Sequence, residues 1–154
     1  MFRIALGCVV GMLLAAPVFA QQPAAPPAQP AAQQNPFVFP GDGGVVLNFV
    51  KADKTADFEM ILGKVKEALA KSEKPERKQQ AAGWKVFKSA DPAGANVLYV
   101  FVIDPAVKGA DYQVSNIIAE AFPTEANDLL KKYAEAYAQG MNILNLSVLQ
   151  EFGK

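Results

Sequence analysis

The chain has 154 residues, with 15 basic and 15 acidic side chains, no histidine and one cysteine. That cysteine, Cys8, lies among the first twenty residues, which we interpret below as an export signal, so the mature chain would contain neither residue type. This composition excludes a His or Cys metal site, a Ser-His-Asp triad, a Cys-His dyad and a disulfide in the mature protein. The balanced charge gives no electrostatic footprint for nucleic acid.

Residues 1–20 have the organisation of a secretory signal peptide. Arg3 supplies a positive charge at the start, residues 4–16 are apolar, and Val18 and Ala20 place small residues at a cleavage site. The apolar run is shorter than the roughly 20 residues that span a bilayer. We therefore expect cleavage after Ala20, with a retained anchor helix as the alternative, and a periplasmic or secreted protein with no stable membrane span.

The next segment, residues 21–36, contains only Gln, Pro, Ala and one Asn. Because it has no charge and no aromatic side chain, it cannot bury a core, and we expect a disordered linker. Residues 37–154 are long enough to form one domain with a core of its own.

Strand and helix patterns alternate along this domain. The best-defined helix repeats apolar residues at i, i+3, i+4 and i+7, beginning at Phe58. The predicted elements are a strand at 45–51, a helix from Asp53 or Thr55 to about Ser72, a charged segment with one further helical turn from Pro75 to Gly83, strands at 84–88 and 97–103, a short helix at 113–122, a helix from Thr124 to Gly140, and a strand at 141–149. This order, β-α-β-β-α-β, predicts an α+β, ferredoxin-like domain with a four-stranded antiparallel sheet.

The strand at 97–103 is apolar on both faces, and the strand at 45–51 is nearly so. In the last strand, Leu144, Leu146 and Val148 form the set that we expect to face the helices. Two helices cover only one face of such a sheet, and soluble monomers avoid a large exposed apolar patch. We therefore predict a homodimer that packs sheet to sheet about a two-fold axis.

In its element order and its doubly apolar third strand, the stretch 45–150 resembles the dimeric α/β-barrel superfamily, which includes antibiotic-biosynthesis monooxygenase-like and stress-responsive barrel proteins. The resemblance implies a barrel of two facing sheets, with a cavity between sheet and helices in each subunit. Some members oxidise quinols or polycyclic aromatics without metal or flavin, some bind haem, and many have no known activity. The haem-degrading members depend on a histidine ligand, which this chain lacks.

Cofactor-free oxygenases of this fold use Asn, Trp and Tyr side chains in the cavity to hold and deprotonate a phenolic substrate. The resemblance therefore directs attention to Asn48, Trp84 and Tyr99 on the first three strands, and to Asn145, which lies on the strand expected beside Asn48. A few polar groups in an apolar cavity are typical of a ligand pocket. The alternative is structural: each asparagine pairs with a neighbouring group, and Trp84 packs at an edge strand.

Other residues favour plainer interpretations. Tyr133 and Tyr137 have the spacing of core residues on a helix. A basic cluster interleaved with Glu73 and Glu76 is typical of a solvated surface; it comprises Lys71, Lys74, Arg77, Lys78, Lys85 and Lys88. We expect no metal and no cofactor. The sequence thus favours a non-catalytic homodimer that binds a small apolar ligand or is structural, with a cofactor-independent monooxygenase acting on a quinol or electron-rich aromatic as the alternative.

Overall fold

The computed structural model describes residues 35–153. The predicted signal peptide and all of the predicted linker except its last two residues lie outside the described residues. The elements are β1 (Gly43–Lys51), a short 3-10 helix (Ala52–Lys54), α1 (Thr55–Lys71), α2 (Pro75–Gly83), β2 (Trp84–Lys88), β3 (Asn96–Ile103), α3 (Val114–Ala121), α4 (Ala126–Ala136) and β4 (Asn142–Leu146). Among the described helices, none combines the length and the apolar character that a membrane crossing needs.

The four strands form one antiparallel sheet in the order β2-β3-β1-β4. Strand β3 lies between β1 and β2, and β1 lies between β3 and β4, so each β-α-β unit is split by a strand from the other. This is the ferredoxin-like arrangement, and it confirms the predicted α+β fold class.

The helix boundaries follow local sequence chemistry, with one difference from expectation. α1 buries Phe58, Ile61, Val65 and Leu69, as its apolar spacing predicts. The last helix, however, ends at Ala136 rather than near Gly140. The chain leaves the helix there because residues 137–138 pair with β1: the backbone N–H of residue 138 donates to the Phe49 carbonyl at 2.9 Å.

The strand register decides which side chains face the helices. Asn48 lies opposite Tyr99, and Val46 lies opposite Phe101; all four are buried beneath the helices. Gly44 also belongs to this face, where a Cβ would overlap the Phe39 ring.

The alternate positions form the other side of the sheet, which we call the open face. Its members are Val45, Leu47 and Phe49 of β1, Phe87 of β2, Leu98, Val100 and Val102 of β3, and Leu144 and Leu146 of β4. They are half-buried or exposed, with Phe87 at 53% and Leu144 at 50%. None of the described helices covers them.

The expectation that Leu144, Leu146 and Val148 face the helices is wrong. Leu144 pairs with Val45 and Leu146 pairs with Gly43, and cross-strand partners share a face, so both leucines lie on the open face. Ile143, opposite Val46, faces the helices instead. Val148 lies beyond β4 and is 58% exposed.

Candidate functional site

A buried hydrogen-bonded chain is centred on Asn48, which is fully buried. Its Nδ2 donates to the carbonyls of Val46 and Tyr99, each at 3.2 Å. Its Oδ1 lies 2.8 Å from the Tyr137 hydroxyl, which in turn lies 2.6 Å from the Tyr133 hydroxyl. An amide oxygen only accepts, so Tyr137 donates to Asn48 and accepts from Tyr133. Both Asn48 amide protons and its oxygen are therefore engaged within the fold.

The space around Asn48 is filled by aromatic rings rather than by a cavity. Phe58 of α1 sits at the centre, with ring centroids 4.8 Å from Tyr99, 5.8 Å from Tyr133 and 5.7 Å from Tyr137. Burial raises the pKa of Tyr133 to about 12 and raises the pKa of Tyr137 further still. Both hydroxyls therefore remain protonated at neutral pH and serve as hydrogen-bond partners rather than as bases.

Tyr99 belongs to a second polar group that reaches the surface. Its hydroxyl donates to Glu59 Oε1 at 2.6 Å, and Lys88 Nζ binds the same oxygen at 2.8 Å. These hydrogen bonds from Lys88 and Tyr99 lower the pKa of the Glu59 carboxyl. Burial raises the pKa of the Tyr99 phenol, and its bond to the Glu59 carboxylate raises it too. The group therefore holds an anionic acceptor and a neutral phenol, and it ties α1 to β2.

An apolar groove of about 600 Å³ lies between α1 and the edge strand β2, with α2 along it. We call it the α1–β2 groove. Its lining residues are Leu62, Gly63, Val65, Lys66, Leu69, Ala70, Ala81, Trp84 and Val86. Its size falls within the range of pockets that bind small molecules.

Trp84 forms part of the groove wall. Its indole packs edge-on against Phe101 and Tyr112, with centroids 5.6 Å and 5.5 Å away. Its Nε1–H is buried and has no acceptor among the described residues. A buried donor without a partner is costly. Because this N–H is shielded from solvent, it is not a contact point on the groove surface.

The four residues singled out from the sequence do not converge. Asn48 and Tyr99 are cross-strand neighbours in the core, whereas Trp84 lies opposite Ile103, further along β3. Asn145 is exposed and lies opposite Gly44. Although Asn48 and Asn145 belong to the same side of the sheet, their positions are four residue steps apart along β1, roughly 13 Å. Of the four, Trp84 alone lines the groove.

Sequence reasoning missed three participants: Glu59, Gly63 and Lys66, all on α1. Their spacing places them on one side of that helix, but only the helix's position against β2 reveals what that side faces. The helical period alone carries no such information.

The expectation that the whole basic cluster is solvated is wrong for Arg77, which is only 8% exposed. Its guanidinium donates to the Asp111 carbonyl at 2.7 Å and to Gln80 Oε1 at 2.8 Å, and it forms an ion pair with Glu120 at 2.9 Å. The bond from Arg77, together with an ion pair from Lys74 at 3.0 Å, lowers the pKa of the Glu120 carboxyl. Arg77 therefore fastens α2 to α3 and to the loop before it.

Within residues 35–153, no group of three or more acidic side chains has the geometry to hold a metal ion.

Comparison with known proteins assigns no family to this chain. No protein-family model matches the sequence, and no curated protein matches it. Among solved structures, the chain is similar to a mutant form of SnoaB, a cofactor-independent oxygenase from Streptomyces nogalater. The two chains share 10% sequence identity and superpose with a TM-score of 0.39, over 74% of this chain and 100% of the other. At these values, neither a site nor an activity is carried over.

Proposed function

We propose that the protein is an exported, non-catalytic homodimer that binds a small apolar ligand in the α1–β2 groove. The observation that carries this proposal is the groove itself. Its walls are apolar apart from Lys66, and the indole of Trp84 forms part of them. Pockets of this kind bind ligands by burying their apolar surface and orient them with one or two polar contacts.

The open face supports the dimeric part of the proposal. It carries nine apolar side chains from all four strands, and Val100 lies between Leu47 and Phe87 at its centre. Its polar residues include Lys85 and Asn142, which lie on the two edge strands. Apolar burial is worth roughly 25 cal/mol for each Å² removed from water. A second copy that presents the same face would remove this surface from water on both partners in one closed contact.

The chemistry of the buried groups favours binding over catalysis. A cofactor-independent oxygenase needs a group that removes a proton from its substrate. Near Asn48, the tyrosines have raised pKa values and are engaged with one another, while the pKa of Glu59 is lowered, which makes its carboxylate a weaker base. Export rests on residues 1–20 of the sequence alone.

Native mass spectrometry of the protein purified from a periplasmic extract or from the medium tests this proposal. We expect a dimer that has lost residues 1–20 and carries the added mass of a small organic molecule. A ligand-free monomer would contradict both the interface and the groove. Oxygen consumption with a hydroquinone as substrate, lost in an Asn48→Ala variant that remains folded, would support the oxygenase instead.

A further inference from the structure

The α1–β2 groove contains one charged side chain, Lys66. Neighbouring lysines on α1 are paired: Lys64 with Glu125 at 3.5 Å and Lys71 with Glu67 at 2.7 Å. Within residues 35–153, by contrast, the Lys66 ammonium forms neither an ion pair nor a hydrogen bond. No carboxylate lines the groove either, so its charge is that of one uncompensated cation.

The groove thus offers one charged donor, the Lys66 ammonium on α1, on an otherwise apolar surface. A neutral apolar ligand would leave the ammonium without a counter-charge. A carboxylate with an apolar body complements the groove, because a charged donor and a carboxylate form hydrogen bonds about twice as strong as those between neutral groups.

Gly63 supplies the room for that body. It lies in the middle of α1, where glycine costs the helix roughly 1 kcal/mol relative to alanine. No close packing requires it there, because a Cβ at this position would meet nothing within 4 Å. A larger side chain at this position would instead extend into the groove that Gly63 lines.

We infer that the α1–β2 groove binds a free apolar monocarboxylate, such as a medium-chain acid, with its hydrocarbon against Leu62, Leu69 and Val86 and its carboxylate toward Lys66. This inference rests on the proposed function and specifies its ligand class. A phosphate monoester carries about 1.5 to 2 negative charges at neutral pH, more than one ammonium compensates, whereas a carboxylate carries one.

Trp84 is the only tryptophan of the chain, so its fluorescence reports directly on the groove. We would titrate the purified dimer with decanoate and, as the matched neutral probe, with 1-decanol, both below their aggregation concentrations. Decanoate is expected to bind at least tenfold more tightly than decanol. A Lys66→Met variant should lose that preference while still binding decanol, and a Lys64→Met variant, which removes a paired lysine of the same helix, should keep it.

A Gly63→Leu variant distinguishes the claim that the groove binds a ligand from the claim that this ligand is a carboxylate. It removes a helix-destabilising glycine and should fold, yet it should bind neither probe because its side chain fills the groove. Equal affinity for decanoate and decanol, or a preference that persists in Lys66→Met, would overturn the carboxylate inference and leave the proposed apolar site intact. Absence of binding by either probe, or binding that is unchanged in Gly63→Leu, would overturn the site itself.

Discussion

The two faces of the sheet are built from the same strands and differ in chemistry. The face under the helices, which we call the covered face, combines large aromatic rings with a buried hydrogen-bonded chain from Asn48 to Tyr133. The open face is purely apolar along its centre, with Leu47, Phe87 and Val100 as cross-strand neighbours. Buried polar groups need partners at fixed positions, which other segments of the same chain supply. A face that is mainly apolar is suited to a partner that arrives from solution.

The largest loss of stability is expected at Phe58, whose ring lies at the centre of the aromatic cluster on the covered face. Phe58→Ala removes a fully buried ring that touches four other rings and should lower the free energy of unfolding by about 3–5 kcal/mol. Urea denaturation measures this loss. The matched control is Phe87→Ala on the open face, where the ring is 53% exposed. In that variant the dimer should weaken while the isolated subunit keeps most of its stability; equal losses in the two variants would mean that the faces do not differ as described.

A substitution at the centre of the open face disrupts the proposed dimer contact most directly. Val100→Lys places an ammonium where the second copy would bury it without a counter-ion, which costs several kcal/mol. The dimer dissociation constant should rise at least about a hundredfold, equivalent to roughly 2.7 kcal/mol. Sedimentation velocity measures the change. Ala119→Lys, at an exposed position of α3, should leave association unaltered; a Val100→Lys protein that dimerises as tightly as the parent would place the interface elsewhere.

Removing either tyrosine hydroxyl from the hydrogen-bonded chain of the covered face should lower the free energy of unfolding by a smaller amount, and the two losses should differ. Tyr137→Phe leaves the buried Asn48 Oδ1 without its donor and should cost about 1–3 kcal/mol of unfolding free energy. Tyr133→Phe keeps the bond from Tyr137 to Asn48 and should cost less, about 0.5–1.5 kcal/mol. Chemical denaturation of both variants compares them; the reverse order would show that the proton arrangement in the chain is different.

The same tyrosines make the covered face sensitive to alkali. The pKa of Tyr133 is raised to about 12 in the folded protein, against about 10 in an unfolded chain. Between these values the unfolded chain releases a proton that the folded protein retains. The stability is therefore complete below pH 10 and falls as the pH rises, by at most about 1.4 kcal/mol per pH unit for this group. Urea midpoints from pH 8 to 11 should decline less steeply in Tyr133→Phe, and identical slopes would refute the assignment.

Much of the fold is predictable because its signals are local. The period of α1, the proline at the start of α2 and the β-branched runs of β1 and β3 specify element type and order, and the order specifies the ferredoxin-like topology. Which side chains of β4 face the helices cannot be predicted from its own sequence, because apolar residues occur at both its odd and its even positions. Only the pairing of Leu144 with Val45 decides between the two sets. The early end of α4 likewise depends on pairing with β1.

The candidate site is less predictable for the same reason. Arg77 reads as one surface cation among six, and its burial depends on Asp111 and Glu120, which lie 34 and 43 residues further along the chain. Lys66 and Trp84 line one groove only because α1 lies beside the edge strand. Asn48 and Tyr99, singled out for their chemistry, instead belong to the core. There the Asn48 amide binds backbone carbonyls and the Tyr137 hydroxyl, while the Tyr99 hydroxyl binds Glu59.

Sedimentation equilibrium of the unaltered protein at micromolar concentrations tests the central claim most directly, because the claim is that the open face pairs with a second copy. A mass of twice the subunit, falling toward one subunit on dilution or in Val100→Lys, is the predicted result. A single subunit mass at every concentration, with the protein folded and soluble, would contradict it.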